Sequence, residues 1–213
     1  MKGAFLDRSL FVNLSAFYSD YKDQQVTTQV VAPGPSIASF VDNAGDSKIK
    51  GLELEARAIL SPHVSAVMSL GYTDAKFKRF TTFDLATNTN IDVAAFRVFQ
   101  NTPKFTVNFA PSFSAPVAGG TLSFTPSVSL RSGYSQFEIP NALLDENGYE
   151  LVDASLGWTS ENDRFRLSLH GRNLFNARYK IGGYNFPGAL FGNSIIAFYG
   201  PPRSITLTGE VRF

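Results

Sequence analysis

The chain has 213 residues and a formal charge of +1, so no strong field of either sign points to nucleic acid or to an acidic partner. Cysteine is absent, which excludes a disulfide framework, a thiolate metal site and a cysteine nucleophile. The two histidines lie in no close His/Asp/Glu group, so the residues predict no catalytic, metal or cofactor site. Mean hydropathy is near zero, at -0.04. That value suits a soluble protein, and equally strands that face lipid on one side and water on the other.

In chain order, residues 2–6 read as the tail of a strand, followed by a short turn at 6–8. Its first eight residues hold one Lys but no apolar core and no small-residue cleavage site, so they do not read as a signal peptide. An outer-membrane protein needs one; the expectation is a mature chain or one that continues upstream. A period of two then takes over. Leu10, Val12, Leu14, Ala16 and Tyr18 alternate with Asn13, Ser15 and Ser19, and this strand can be extended towards Val31. Leu52 to Leu60 and Val64 to Tyr72 repeat the pattern around a Ser61-Pro62 turn. Phe105 to Phe113 and Leu122 to Tyr134 flank a turn at 116–120, and Val152 to Trp158 and Phe165 to Leu169 flank one at 160–163. Ile205, Leu207, Val211 and Phe213 alternate with Ser204, Thr206, Thr208, Glu210 and Arg212.

Eight full strands and one stub result. Long connections are expected at 23–47, 78–102, 135–148 and 180–201, opposite the short turns. Short turns on one side and long loops on the other are what outer-membrane barrels show, with the short turns periplasmic. Aromatics near strand ends (Tyr18, Tyr21, Tyr72, Tyr134 and Tyr179 by the long loops; Trp158, Phe165 and Phe213 by the short turns) fit two interfacial girdles, although any one could be a packing residue. Parity assigns Lys50, Glu53, Glu55, Arg57, Arg131, Asp153, Arg166, His170, Arg172, Glu210 and Arg212 to one polar, lumen-lining face. No run approaches the roughly 18 apolar residues of a transmembrane helix. A soluble β-sandwich, as a lectin or binding module, and a self-contained eight-stranded barrel with a structural or adhesion role remain as alternatives.

Five motifs sharpen this reading. Gly171-Arg172-Asn173-Leu174-Phe175-Asn176-Ala177-Arg178-Tyr179 resembles the N-L-F-(D/N)-x-x-Y signature of TonB-dependent receptors. Tyr199-Gly200-Pro201-Pro202-Arg203 resembles the G-x-P-R entry to their last strand. Asn43-Ala44-Gly45 followed by Gly51, Glu53 and Glu55, the segment Ala16 to Asp23, and Asn101-Thr102-Pro103-Lys104 are similar to three further strands of that family, in the same order.

The resemblance implies an all-β, antiparallel transmembrane β-barrel. These strands would be about the last eight of 22, with the plug domain and TonB box lying outside the sequence. It further implies a receptor in the Gram-negative outer membrane for TonB-energised uptake of a scarce nutrient, foremost a ferric siderophore, with no enzymatic step. On that reading the partners are outer-membrane lipid, the TonB complex acting through a plug, a siderophore or similar ligand, and the barrel-assembly machinery. The last would capture the edge of the terminal strand through Leu207, Val211 and Phe213. Alone, these strands would not transport. Ligand contacts are expected on loops held by a rigid scaffold. The candidates there are Phe137, Tyr184, Phe186 and Phe191, with Phe80, Phe83, Phe96, Phe99 and Phe198 as further loop aromatics, many of them packing one loop on another.

Overall fold

The computed structural model describes residues 2–32, 36–84, 86–186 and 192–213, with the side chains of 26–44 outside the description. The elements are β1 (Lys2–Phe5), β2 (Leu10–Ala32), β3 (Ser36–Ser61), β4 (Val64–Asp84), β5 (Thr89–Asp92), a 3-10 turn (Ala94–Phe96), β6 (Phe105–Pro116), β7 (Gly120–Tyr134), β8 (Glu146–Ser160), β9 (Phe165–Arg172), β10 (Lys180–Phe186), β11 (Ser194–Tyr199) and β12 (Ser204–Val211). Nine strands form one antiparallel sheet in the order β1-β2-β3-β4-β6-β7-β8-β9-β12, with β5 added to β4; β10 and β11 form a separate hairpin. The nine are the stub and the eight strands that the alternation predicts. Their sheet is open, with β1 and β12 at its edges, so the chain does not close into a small barrel by itself.

Register carries the two-faced pattern across strands. Val64, Phe113, Phe124, Leu156, Leu169 and Leu207 lie side by side on six neighbouring strands. The Phe113 and Phe124 rings stack at 6.3 Å. Among the described residues nothing covers this apolar face: Leu52, Phe124, Leu156 and Leu207 are each more than two-fifths exposed. A soluble sandwich would bury such a face against a second sheet. Among the described residues only Phe80 and Leu144 are buried apolar side chains; Phe80 is on the far extension of β4 and Leu144 in the β7–β8 connection, both outside the apolar rows. Among the described residues no helix is long and apolar enough to cross a membrane.

The short turns have local causes. Ala118 (φ 51°) and Gly119 (φ 67°) are both left-handed, with Val117 and Gly120 exchanging backbone hydrogen bonds of 2.9 and 3.1 Å. That is a two-residue hairpin turn whose twist matches the strands it joins. Trp158 lies beside it, its indole N–H donating to the Val117 carbonyl at 2.9 Å, an amphipathic ring at the edge of the apolar face.

Three of the expected long connections are shorter than the alternation suggests. Residues 23–47 are mostly strand: β2 and β3 stay paired up to Ala32 and Ser36, with a bulge at Tyr21 to Gln25. Likewise β4 runs on to Asp84 and pairs with β5, and 180–201 is largely the β10–β11 hairpin. Beyond the bilayer a strand can be polar on both faces, so it no longer alternates and reads as loop.

Candidate functional site: lumen wall and loop clamp

The polar face is a hydrogen-bonded wall. Lys2, Asn13, Glu55, Ser69, Asn108 and Ser129 share one row across six strands. Within it Asn13 Nδ2 donates to Glu55 Oε2 (3.1 Å), Asn108 Nδ2 to Ser69 Oγ (3.2 Å) and Ser129 Oγ to Asn108 Oδ1 (2.8 Å). An open depression of about 790 Å³ has these residues in its lining. A second row joins Ser112 to Thr125 (3.2 Å) and Ser155 to His170 Nδ1 (2.8 Å). His170 is thus a wall residue, and among the described residues no group of His, Cys, Asp and Glu is placed to hold a metal. Lower down, Glu210 takes Arg212 at 2.8 Å and Arg166 at 3.7 Å. Glu53 shares the face of Glu55, as expected.

Lys50 does not. Its register partners are Tyr18 and Asp74, which share the parity of Leu14, Leu54 and Leu70, so it stands on the outward face. The expected grouping with Glu53 and Glu55 fails because 50 is an even position, on the side of Leu52 and Leu54, whereas those glutamates are odd.

The motif residues build a clamp at the base of the β10–β11 hairpin. Asn173 (φ 48°) and Asn176 (φ 54°) take left-handed conformations, which Asn tolerates well. The buried Asn173 amide donates to the carbonyls of Ala177 (2.9 Å) and Pro201 (3.0 Å) and accepts the Ala177 N–H (2.7 Å). Its own N–H donates to Asp153 Oδ1 at 2.7 Å. Leu174 N–H continues the ladder to the Val152 carbonyl, and Asn176 Oδ1 accepts the Arg203 N–H at 3.0 Å, just past Pro202. The chain thus leaves β9 and re-enters β12 at one fixed point. Phe175, by contrast, is largely exposed.

Two glycines admit rings. A Cβ on Gly200 would fall within the Tyr179 ring, and one on Gly51 would lie 2.5 Å from Phe17 Cζ. Tyr179 also stacks on Tyr149 at 4.3 Å, and the Tyr134 hydroxyl donates to the Lys180 carbonyl at 3.3 Å. Tyr179 therefore serves the clamp, and Tyr134, on the parity of Leu130, ties the β7 end to the start of β10. Tyr21 shares the parity of Phe17, on the polar face. Tyr18 and Tyr72 do face outward beside the apolar rows.

Above the wall, loops pack on loops. The Lys180 N–H donates to Glu146 Oε2 at 2.7 Å, Lys180 Nζ reaches the Asp145 carbonyl, and Gly183 leaves room for buried Leu144. Nearby, Phe80 is 2% exposed, edge-on to Phe77 at 5.0 Å, while Phe77 stacks on Phe99 at 4.3 Å. Arg97 covers Phe80 at 5.3 Å, and Val98 N–H donates to the Glu138 carbonyl at 2.9 Å. Burial raises the Glu138 carboxyl above its ordinary range, with Arg97 partly opposing. Asp92 is lowered by amides of Phe80 and Ala94 that donate to it.

Of the expected ligand contacts, Tyr184 packs with Phe186 (5.6 Å) and Phe198 (5.4 Å) on the hairpin and is half exposed. Phe137 is half-buried on the β7–β8 connection, and Phe191 lies outside the described residues. Phe213, Val211 and Leu207 are exposed at the β12 edge of the sheet. The loop cluster around Phe80 and the Asn173 contacts carry no periodic signal, so pattern reading passes over them.

The family model described as TonB dependent receptor-like, beta-barrel matches residues 1–174. The ferrichrome outer membrane transporter/phage receptor of Escherichia coli K12 is 26% identical over 189 residues, covering 84% of this chain and 22% of that protein. The pesticin receptor of Yersinia enterocolitica is 26% identical over 199 residues, covering 93% of this chain and 26% of the relative. The chain thus spans about a quarter of the length of these curated relatives. In fold, it is similar to the ferric yersiniabactin uptake receptor FyuA of Yersinia pestis, with a TM-score of 0.69 at 23% identity over 96% of this chain and 28% of that one. It is also similar to the siderophore receptor PiuA of Acinetobacter baumannii, with a TM-score of 0.71 at 19% identity over 99% of this chain and 27% of that one.

Proposed function

Since the chain belongs to the TonB-dependent receptor β-barrel family of the Gram-negative outer membrane, we propose that it forms one wall of a receptor that takes up ferric siderophores. Energy comes from the TonB complex. The step is binding and gated passage, and no bond of the ligand is broken. The observation that carries this reading is the two-faced sheet: an uncovered apolar row on six strands, backed by a hydrogen-bonded polar wall. Lipid meets the first face, and water, a plug and passing ligand meet the second. Transport is assigned to the whole receptor and not to these strands alone. Siderophore is preferred to other cargo because the relatives' names include ferrichrome and ferric yersiniabactin.

On this reading the β10–β11 hairpin presents Tyr184 and Phe186, with Phe137 beside it on the neighbouring loop, to incoming ligand. The hairpin is held at its base by the Asn173 clamp, and the loop of Phe137 is tied to it by Gln136, which donates to the Lys180 carbonyl at 3.1 Å; rigid aromatic anchors dominate binding energy. The free edge of β12, through Leu207, Val211 and Phe213, is the part offered to the barrel-assembly machinery. The test is uptake of a panel of labelled ferric siderophores by cells that carry the full receptor and lack others of its kind. Uptake of at least one should require TonB, and Tyr184→Ala with Phe186→Ala should weaken its binding about tenfold. A receptor that binds none of them sinks the siderophore assignment.

A further inference from the structure

Above the apolar rows the outward face changes abruptly in character. Leu14, Leu54 and Leu70 form one row, and Ala16, Leu52 and Tyr72 the next. The two rows that follow are Tyr18–Lys50–Asp74 and Asp20–Lys48–Lys76. At a rise of roughly 3.4 Å per residue, they lie about 14 and 20 Å along the strand from Leu14. Lys22 lies two residues beyond Asp20 on β2, and Lys78 Nζ donates to both Asp20 carboxylate oxygens at 3.0 and 2.9 Å. Five lysines thus surround two aspartates. The adjoining trio of Arg79, Asp46 and Asp23 carries one negative charge in excess, Arg79 meeting Asp46 at 3.0 Å and Asp23 at 3.5 Å, so the region as a whole stays net positive.

The arrangement keeps the cations outermost. Asp74 is tucked in, its side chain only 14% exposed, and it holds Lys50 and Lys76 at 3.6 Å each while their side chains remain 60% and 73% exposed. Lys78 bridges to Asp20 at 2.9 Å, and Lys48 lies 5.9 Å over the outward Tyr18 ring. The two aspartates thus hold three of the five ammonium groups, Lys50, Lys76 and Lys78, and the five lysines exceed Asp20 and Asp74 by three positive charges. A solvated surface made only for solubility would mix the two signs evenly. Here one sign gathers directly above the level at which the apolar face ends.

We propose that Lys22, Lys48, Lys50, Lys76 and Lys78 form a binding site for the phosphate groups of membrane-lipid headgroups in the leaflet on the long-loop side. The site rests on the membrane reading above, because it places those lysines at headgroup height. Basic residues at an anionic surface contribute favourably and additively in first approximation, and the attraction is screened by salt. Asp74 draws Lys50 and Lys76 to one point, 3.6 Å from each, so that a phosphate can be met by more than one ammonium group.

The test uses the full receptor in nanodiscs of phosphatidylcholine, with and without phosphatidic acid, whose headgroup is a phosphate monoester. Lipids retained on transfer to mild detergent are counted by native mass spectrometry. Phosphatidic acid should be retained over phosphatidylcholine, and inorganic phosphate should not displace it. Replacing all five lysines by Gln should cut its retention about tenfold or more, as should high salt, whereas Arg8→Gln, in the short turn at the opposite end of β2, should not. Equal retention by the five-fold variant, equal retention of phosphatidylcholine, or ready displacement by free phosphate overturns the proposal. Failure to insert into either bilayer sinks the membrane reading and the lipid site together; insertion with lysine-independent lipid retention sinks the lipid site alone.

Discussion

Asn173 is 5% exposed, and its side chain satisfies backbone groups in two segments that are distant in sequence, around Ala177 and Pro201. A buried amide that meets three partners can be replaced only by a residue with both donors and an acceptor in that geometry. Asn173→Ala leaves the two carbonyls and the Ala177 N–H without these partners, at a cost of about 2 kcal/mol. We expect the Ala177 amide to exchange roughly thirtyfold faster in the variant, measured by hydrogen exchange in a bilayer. Exchange unchanged at Ala177 would refute the clamp. Gly200 works beside it by a different means, as the absence of a side chain where the Tyr179 ring lies.

At the scale of elements, the loops are joined to one another by polar contacts whose strength depends on pH. The Glu138 carboxyl is raised chiefly by burial, so the folded loop holds its proton more tightly than the unfolded chain does. Its contribution is therefore complete below the ordinary glutamate value of 4.5 and is lost as pH rises through the raised one. Asp84 and Asp92 are lowered by hydrogen bonds, Asp84 first by Thr87 and Asp92 first by the Phe80 amide, so their contributions fade only as pH falls below 3.8. The two windows do not overlap. Protection of the Val98 amide, which donates to the Glu138 carbonyl, should thus weaken as pH rises above about 4.5. Glu138→Gln, which mimics the protonated form, should flatten that dependence. A variant with the same pH profile as the parent would show that the carboxyl is not responsible.

For the whole molecule the decisive property is which face a residue occupies. Leu156 stands in the apolar row between Phe124 and Leu169, and Ser155, one position away, is in the polar wall against His170. Leu156→Arg should cost about 2–4 kcal/mol if the outward face meets hydrocarbon, whereas Ser155→Arg should fold with little loss. Urea titrations of the receptor refolded in vesicles measure both. Equal costs for the two substitutions would contradict the assigned faces. The same logic explains Lys50: a lysine is tolerated outward because its row lies beyond the apolar one and is answered by Asp74.

Much of this architecture is written locally. Alternation in Leu10 to Tyr18, Leu122 to Tyr134 or Ser204 to Phe213 depends only on neighbours in the chain, because successive side chains of a strand point to opposite faces. The sequence by itself therefore determined the nine strands, their two faces and most of the short turns, and its motifs pointed to the family. Tertiary structure decided the rest. The strand extensions at 23–47 and the β10–β11 hairpin exist through cross-strand pairing where neither face is set by lipid, so no period marks them. Asn173 meets Pro201 and Asp153, and five lysines gather around two aspartates, only because register brings β9 beside β8 and β12, and β2 beside β3 and β4. Contacts between segments distant in the chain leave no periodic trace in it, since the distance they close is set by pairing and not by neighbouring residues.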